Sequence, residues 1–260
     1  MTAVLLTLLG LTLMRLPVAA LLAALLPDVS VAPEWNYAVS IGQSLMLLAL
    51  PGWLLSGRNG EGVPMRGKLP LGLLVAAMAA VLARIALPPL NEWWGQLIGA
   101  DGADVPQVTG AAARILQVLA LAVVPAVAEE LFFRGALLPC LRRGCGRWAA
   151  LLLTTLLFAL MHGSPAGLPG HLAMGLLLTL LMLHSERLLV PVTAHLLYNL
   201  LSLAGLQTSA FVLWLCGGLL IALTVALMLH LPAGEGRRMG RRELLLCCVI
   251  LAVMAAQYFV

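Results

Sequence analysis

Apolar residues in this chain come in long uninterrupted runs rather than in alternation. Stretches of about 20 apolar residues, the length of a membrane crossing, recur from one end to the other, and short segments between them hold most of the charge. In lipid every backbone polar group needs a partner within the protein, which leaves helices or a closed barrel, and barrel strands would alternate. The pattern therefore predicts an all-α fold, a polytopic transmembrane helix bundle of about eight to nine spans. Nine can be drawn, at 3–26, 35–56, 69–87, 111–133, 148–163, 171–188, 190–206, 210–231 and 244–260. The first run has Arg15 in its middle and no basic segment before it, so it is expected to be a retained helix rather than a cleaved leader.

The loops between these runs alternate in charge. Segments 57–68, 134–147 and 232–243 carry Arg58, Arg66, Lys68, Arg134, Arg142, Arg143, Arg147, Arg237, Arg238, Arg241 and Arg242. Segments 27–34 and 88–110 carry Asp28, Glu34, Glu92, Asp101 and Asp104, with no Lys or Arg. The positive-inside rule then puts the N-terminus in the cytoplasm and, with nine spans, the C-terminus outside. Trp35, Trp93, Trp94 and Trp148 fall near span ends, as an aromatic belt requires.

Composition agrees. The chain is 62% hydrophobic and only 10% charged, against about a quarter charged in soluble domains. The net charge of +4 is no nucleic-acid footprint, because the basic residues sit in the short loops. Cys140, Cys145, Cys216, Cys247 and Cys248 form no CxxC pair and lie mostly in or beside apolar runs, as small buried hydrophobes do.

Ionisable groups within spans mark function by default. Arg84 and Arg114 lie near expected outer ends, where they can snorkel; Arg15 needs an internal partner. Glu129 and Glu130 close the apolar run "ILQVLALAVVPAVA", and Arg134 stands four residues after Glu130, on the same helix face. Glu129 points about 100° away and has no basic residue one turn off. Pro125, one turn before Glu129, is expected to kink the helix. Phe158 and His162, in "FALMH", share a face, as do His195 and Asn199, in "HLLYN". A carboxylate, two imidazoles and an amide converging in a bundle would supply a general base, a proton carrier and donors to an oxyanion. Each piece also has a plainer reading, as an ion-pair lock or a packing histidine.

The three motifs, EExxxR at 129–134, FxxxH at 158–162 and HxxxN at 195–199, resemble those of the CPBP family (also called ABI or CAAX-protease), which includes the Rce1-type prenyl-protein endopeptidases. The resemblance covers roughly residues 111–206. It implies a CPBP-type catalytic core there, flanked by N-terminal transmembrane helices in 1–110 and C-terminal ones in 207–260. It implies an intramembrane protease that hydrolyses a peptide bond in a membrane-associated protein or peptide. Glu129 would activate water with help from His162, His195 and Asn199 would stabilise the oxyanion, and Glu130 and Arg134 would support the site. No cofactor is favoured, although Glu129, His162 and His195 could hold zinc with an open position; Asn is a poor zinc ligand, and no HExxH pair is present. A bacterial inner membrane is the expected location. The rival readings are a non-catalytic binding or immunity protein of the same fold and a proton-coupled transporter, for which no inverted repeat is evident.

The hydrolytic site needs water, and Thr154, Thr155, Ser164, Thr193 and Tyr198 are candidate lining groups. One geometric problem stands out. His162 follows Trp148 by 14 residues, about 21 Å of helix, too far from an inner boundary to reach Glu129 as drawn. Either the fourth span runs deeper, or the fifth starts well inside the cytoplasm, or the bundle is strongly tilted. Otherwise His184 becomes the rival imidazole, with His171 a weaker one.

Overall fold

The computed structural model describes residues 1–25, 33–58, 69–102, 105, 108–205, 208–231 and 239–256. Among these there is no strand, and nine helices follow one another: α1 (Thr2–Leu25), α2 (33–58), α3 (Leu69–Ile98), α4 (111–145), α5 (147–161), α6 (Leu168–Ser185), α7 (Leu189–Leu203), α8 (Ala210–Leu229) and α9 (Arg241–Ala256). The stretches Trp35–Ser56, Leu69–Ile98, Ala111–Met161, Leu168–Ser185 and Ala210–Leu229 are long and apolar enough to cross a membrane. The chain is an integral membrane protein. The side chains of Arg15 and Arg58, and the charged residues at 59–68 and 232–238, lie outside the described residues.

One buried apolar cluster runs through the whole bundle, from Leu5 and Leu8 on α1 through Phe132 on α4 and Leu177 on α6 to Ile250 on α9. Small residues let the helices close in. Ala76, Ala79, Ala80 and Ala83 form a fully buried stripe on α3, which packs against α6, α7 and α8. Gly52 on α2 meets α4 backbone to backbone: a Cβ there would stand 2.8 Å from the Phe132 amide nitrogen.

Segment 134–147, expected as a loop, is helical except at Gly146 (φ 79°, ψ 174°). The fourth helix therefore continues past Arg134, and the chain reverses at Gly146 into α5. Two facing pairs prove the reversal: Phe133 and Phe158 have ring centroids 5.3 Å apart, and Glu129 faces His162. Gly146 lies 17 residues after Glu129 and 16 before His162, so each arm is about 25 Å long and the two side chains come level. The deeper fourth span thus resolves the distance problem. Hydropathy ended the helix at Arg134, but Arg134 is fully buried; the half-buried or exposed Arg142, Arg143 and Arg147 mark the turn instead.

Three π-helical segments interrupt the helices, at Leu45–Ala49, Leu119–Val123 and Leu131–Leu137. Each lies one turn before a proline, Pro51, Pro125 and Pro139 respectively. Proline has no N–H to give the carbonyl four residues back and its ring crowds that carbonyl, so the helix widens there. The two later segments flank the glutamate pair on either side.

α3 also outruns its expected end at residue 87, crossing Pro88 and Pro89 to Ile98. Its extra turns hold the loop after His162. The Trp94 indole N–H donates to the Pro165 carbonyl at 3.1 Å, and the Gly170 amide donates to Asn91 Oδ1 at 2.7 Å. Arg84 does not snorkel outward; its Nε donates to the Leu201 carbonyl at 3.2 Å, tying α3 to the end of α7.

Candidate active site

Adjacent positions on α4 send the two glutamates to different surroundings. Glu130 is fully buried. Its Oε1 accepts from Arg134 Nη1 at 2.8 Å and lies 3.0 Å from His195 Nδ1. Arg134 reaches further, with Nη2 donating to the Gly175 carbonyl at 2.9 Å and to Thr179 Oγ1 at 3.3 Å, both on α6. The Phe158 ring lies 4.5 Å from its guanidinium carbon. Gly175 serves this junction twice, because a Cβ there would also press to 3.0 Å on the Thr155 carbonyl. Glu130 and Arg134 therefore bolt α4, α6 and α7 together at one point.

Glu129 faces the other way. Its side chain is 16% exposed, and its Oε2 lies 3.7 Å from His162 Nε2. The ring of His162 has a fixed sense: Nδ1 is 2.9 Å from the Phe158 carbonyl, an acceptor only, so Nδ1 carries the hydrogen. Neutral His162 then turns the lone pair of Nε2 toward Glu129. Phe158 sits at the hub, with ring centroids 4.8 Å from His162 and 5.9 Å from His195.

Glu129 and His162 form part of the wall of a cavity of about 310 Å³. The rest of the wall includes Leu11, Thr12 and Val18 of α1, Gln43, Ser44, Leu47 and Leu48 of α2, and Met254 of α9. The hydroxyl groups expected to line it do not. Thr154 is fully buried, Ser164 accepts from the Gly167 amide, and Thr193 donates to the Leu189 carbonyl. Gln43 and Ser44 take that place, and no motif around the glutamates signals them, since they lie some 85 residues away in the sequence.

The site residues read from the sequence thus fall into two connected groups. Glu129 and His162 meet at the cavity, while His195 addresses Glu130 rather than Glu129. Asn199 follows His195 by one turn on α7 and is half-buried. His184 is excluded as the rival imidazole, since it stands 13 residues, about 20 Å, beyond His171 along α6. His171 is in the site: its ring stacks on His162 with centroids 4.0 Å apart. The zinc set Glu129, His162 and His195 is divided between the two groups, and among the described residues no three His, Cys, Asp or Glu side chains are grouped to hold a metal ion.

Residues 111–201 match the family model of the Rce1-like type II CAAX prenyl endopeptidases. That segment is Rce1-like. It spans α4 to α7 and includes both glutamates, Arg134, the three histidines of the site and Asn199, and the match accords with the CPBP resemblance of the three motifs. No curated protein and no solved structure is significantly similar to the chain. The Rce1-like family is one of peptidases embedded in membranes; α1 to α3, α8 and α9 lie outside the matched segment.

Proposed function

We propose that this protein is an intramembrane endopeptidase that hydrolyses a peptide bond in a membrane-associated protein or peptide. One observation carries the reading: Glu129 Oε2 and His162 Nε2 face each other at 3.7 Å in the wall of a cavity. Water in that cavity gives a proton to Glu129 as its oxygen attacks the substrate carbonyl carbon. The carbonyl oxygen becomes the oxyanion, which His195 and Asn199 of α7 stabilise by donating hydrogen bonds. The proton then passes to the amide nitrogen, directly or by way of His162, and the C–N bond breaks to release an amine and a carboxylate. Because His195 Nδ1 is turned to Glu130, its Nε2 donates to the oxyanion when the ring carries both hydrogens. Glu130 and Arg134 hold the frame and take no proton in this scheme.

In this reading the chemistry belongs to residues 111–206, and helices from 1–110 and 207–260 complete the cavity. The family description names prenylated CAAX tails as substrates of its members, so a prenylated peptide is the first substrate to offer. Unmodified peptide precursors and C-terminal membrane segments come second.

The test uses wild type and Glu129→Gln reconstituted in liposomes with such peptides, read by mass spectrometry. The expected result is a new peptide terminus with wild type and none with the variant. Absence of cleavage by wild type, together with a cellular phenotype that Glu129→Gln leaves intact, would replace the enzyme with a binding or immunity protein of the same fold.

A further inference from the structure

We infer that His171 is a positioning residue of the hydrolytic site, holding the imidazole of His162 in the one plane that aims Nε2 at Glu129. The inference rests on the endopeptidase reading of Glu129 and His162.

The two rings come from different elements. His162 ends α5, where its peptide φ and ψ are still helical, and His171 stands in the first turn of α6. They lie nearly parallel, with planes 22° apart and centroids 4.0 Å apart. A side chain at a helix end, next to a loop, has rotamer freedom that packing must remove. The Phe158 ring meets His162 at 59° with centroids 4.8 Å apart, and the His171 ring covers a face of it. Rotation about the bond to the ring would break the hydrogen bond from Nδ1 to the Phe158 carbonyl, collide with one of these two rings, and carry Nε2 away from Glu129. The stack uses faces, not edges, so His171 takes no proton from His162 and is not itself in line with the reacting atoms.

The loop between the two histidines is shaped for this contact. A Cβ at Gly167 would lie 2.7 Å from His171 Cε1 and 2.9 Å from Ser164 Oγ, so only glycine leaves the ring its place. From the far side α3 fixes the same loop through Trp94 to Pro165 and Asn91 to Gly170. Three elements thus converge on the placement of one ring, and among the described residues the buried Nδ1 of His171 has no hydrogen-bond partner.

The test is a double-mutant cycle on the full chain in liposomes. His171→Ala is expected to lower kcat about 10- to 100-fold, the usual effect of a misplaced catalytic group, with KM and the thermal unfolding temperature unchanged. His171→Phe, which keeps a stacking face, restores most of the rate. In a His162→Ala background, His171→Ala has no further effect. A side-chain ¹⁵N spectrum of histidine-labelled protein in detergent gives a readout that needs no turnover: His162 is held as the Nδ1–H tautomer in wild type and becomes a mixture in His171→Ala. An equal rate loss in the His162→Ala background, or an unchanged His162 signal in folded His171→Ala, overturns the proposal. Failure of wild type to cleave any peptide, with the tautomer effect present, overturns the endopeptidase reading and leaves the positioning contact standing.

Discussion

Glu130 Oε1 sits 3.0 Å from His195 Nδ1, so the second glutamate of the pair, not the first, addresses the imidazole of α7. The same oxygen receives Arg134. Glu130 therefore ties α4 to α7 directly and, through Arg134, to α6, while Glu129 stands at the cavity wall.

This division predicts opposite phenotypes for the two acids. Glu130→Ala leaves the Arg134 guanidinium buried without its counter-charge, and breaking a buried pair in this way costs about 3–5 kcal/mol. Thermal unfolding in detergent is expected to show a large loss of stability for Glu130→Ala. Glu129→Gln, at the cavity wall, melts like wild type and loses hydrolysis.

His195→Gln separates the oxyanion role from the frame. Arg134 still holds Glu130, so the fold is retained, while hydrolysis falls about 10²–10³-fold, the usual cost of one lost oxyanion donor. Initial rates on a cleaved peptide check this; a rate within a few-fold of wild type would assign the oxyanion to other groups.

Gly146 makes the turn on which the level placement of Glu129 and His162 depends. At φ 79° and ψ 174° any side chain is strained, by about 1–3 kcal/mol. Gly146→Ala is therefore expected to lower the unfolding temperature, whereas Gly10→Ala, outside the positive-φ set and with nothing within 4 Å of the added Cβ, is the control for replacing a glycine without strain. Equal melting of Gly146→Ala and wild type would remove the turn from its place in the design.

Prolonged dialysis against a zinc chelator is expected to leave peptide cleavage intact, since His195 is committed to Glu130 and does not share a ligand set with Glu129 and His162. Loss of activity on dialysis, with recovery on adding zinc, would overturn the metal-free mechanism.

The helices were legible because lipid imposes a crude code, and each of the nine drawn spans has a helix at its place. Their ends were not. Charge at Arg134 reads as water to any hydropathy window, yet Arg134 is buried because Glu130, Gly175 and Thr179 accept from its two terminal nitrogens. Pro88 and Pro89 read as a stop, yet α3 continues because Asn91 and Trp94 have partners in the loop after α5. Within the site, helical spacing correctly put Glu130 with Arg134 and Phe158 with His162. It could not say which glutamate meets which imidazole, since that depends on how helices rotate against each other. Gln43 escaped for the same reason, as a neighbour in space whose own sequence surroundings carry no motif, and His171, read only as a weaker rival imidazole, instead stacks on His162. Pro125, expected to kink its helix, is preceded instead by a π segment at Leu119–Val123.

Gly52 brings α2 into backbone contact with α4 beside the glutamate pair, and α2 carries Gln43 and Ser44 into the cavity. Under the proposed function, the hydrolytic pair and much of the cavity lining thus sit on separate stretches of polypeptide. Exchanging α1 and α2 is then expected to alter which peptides are cut and to leave the Glu129–His162 pair in place.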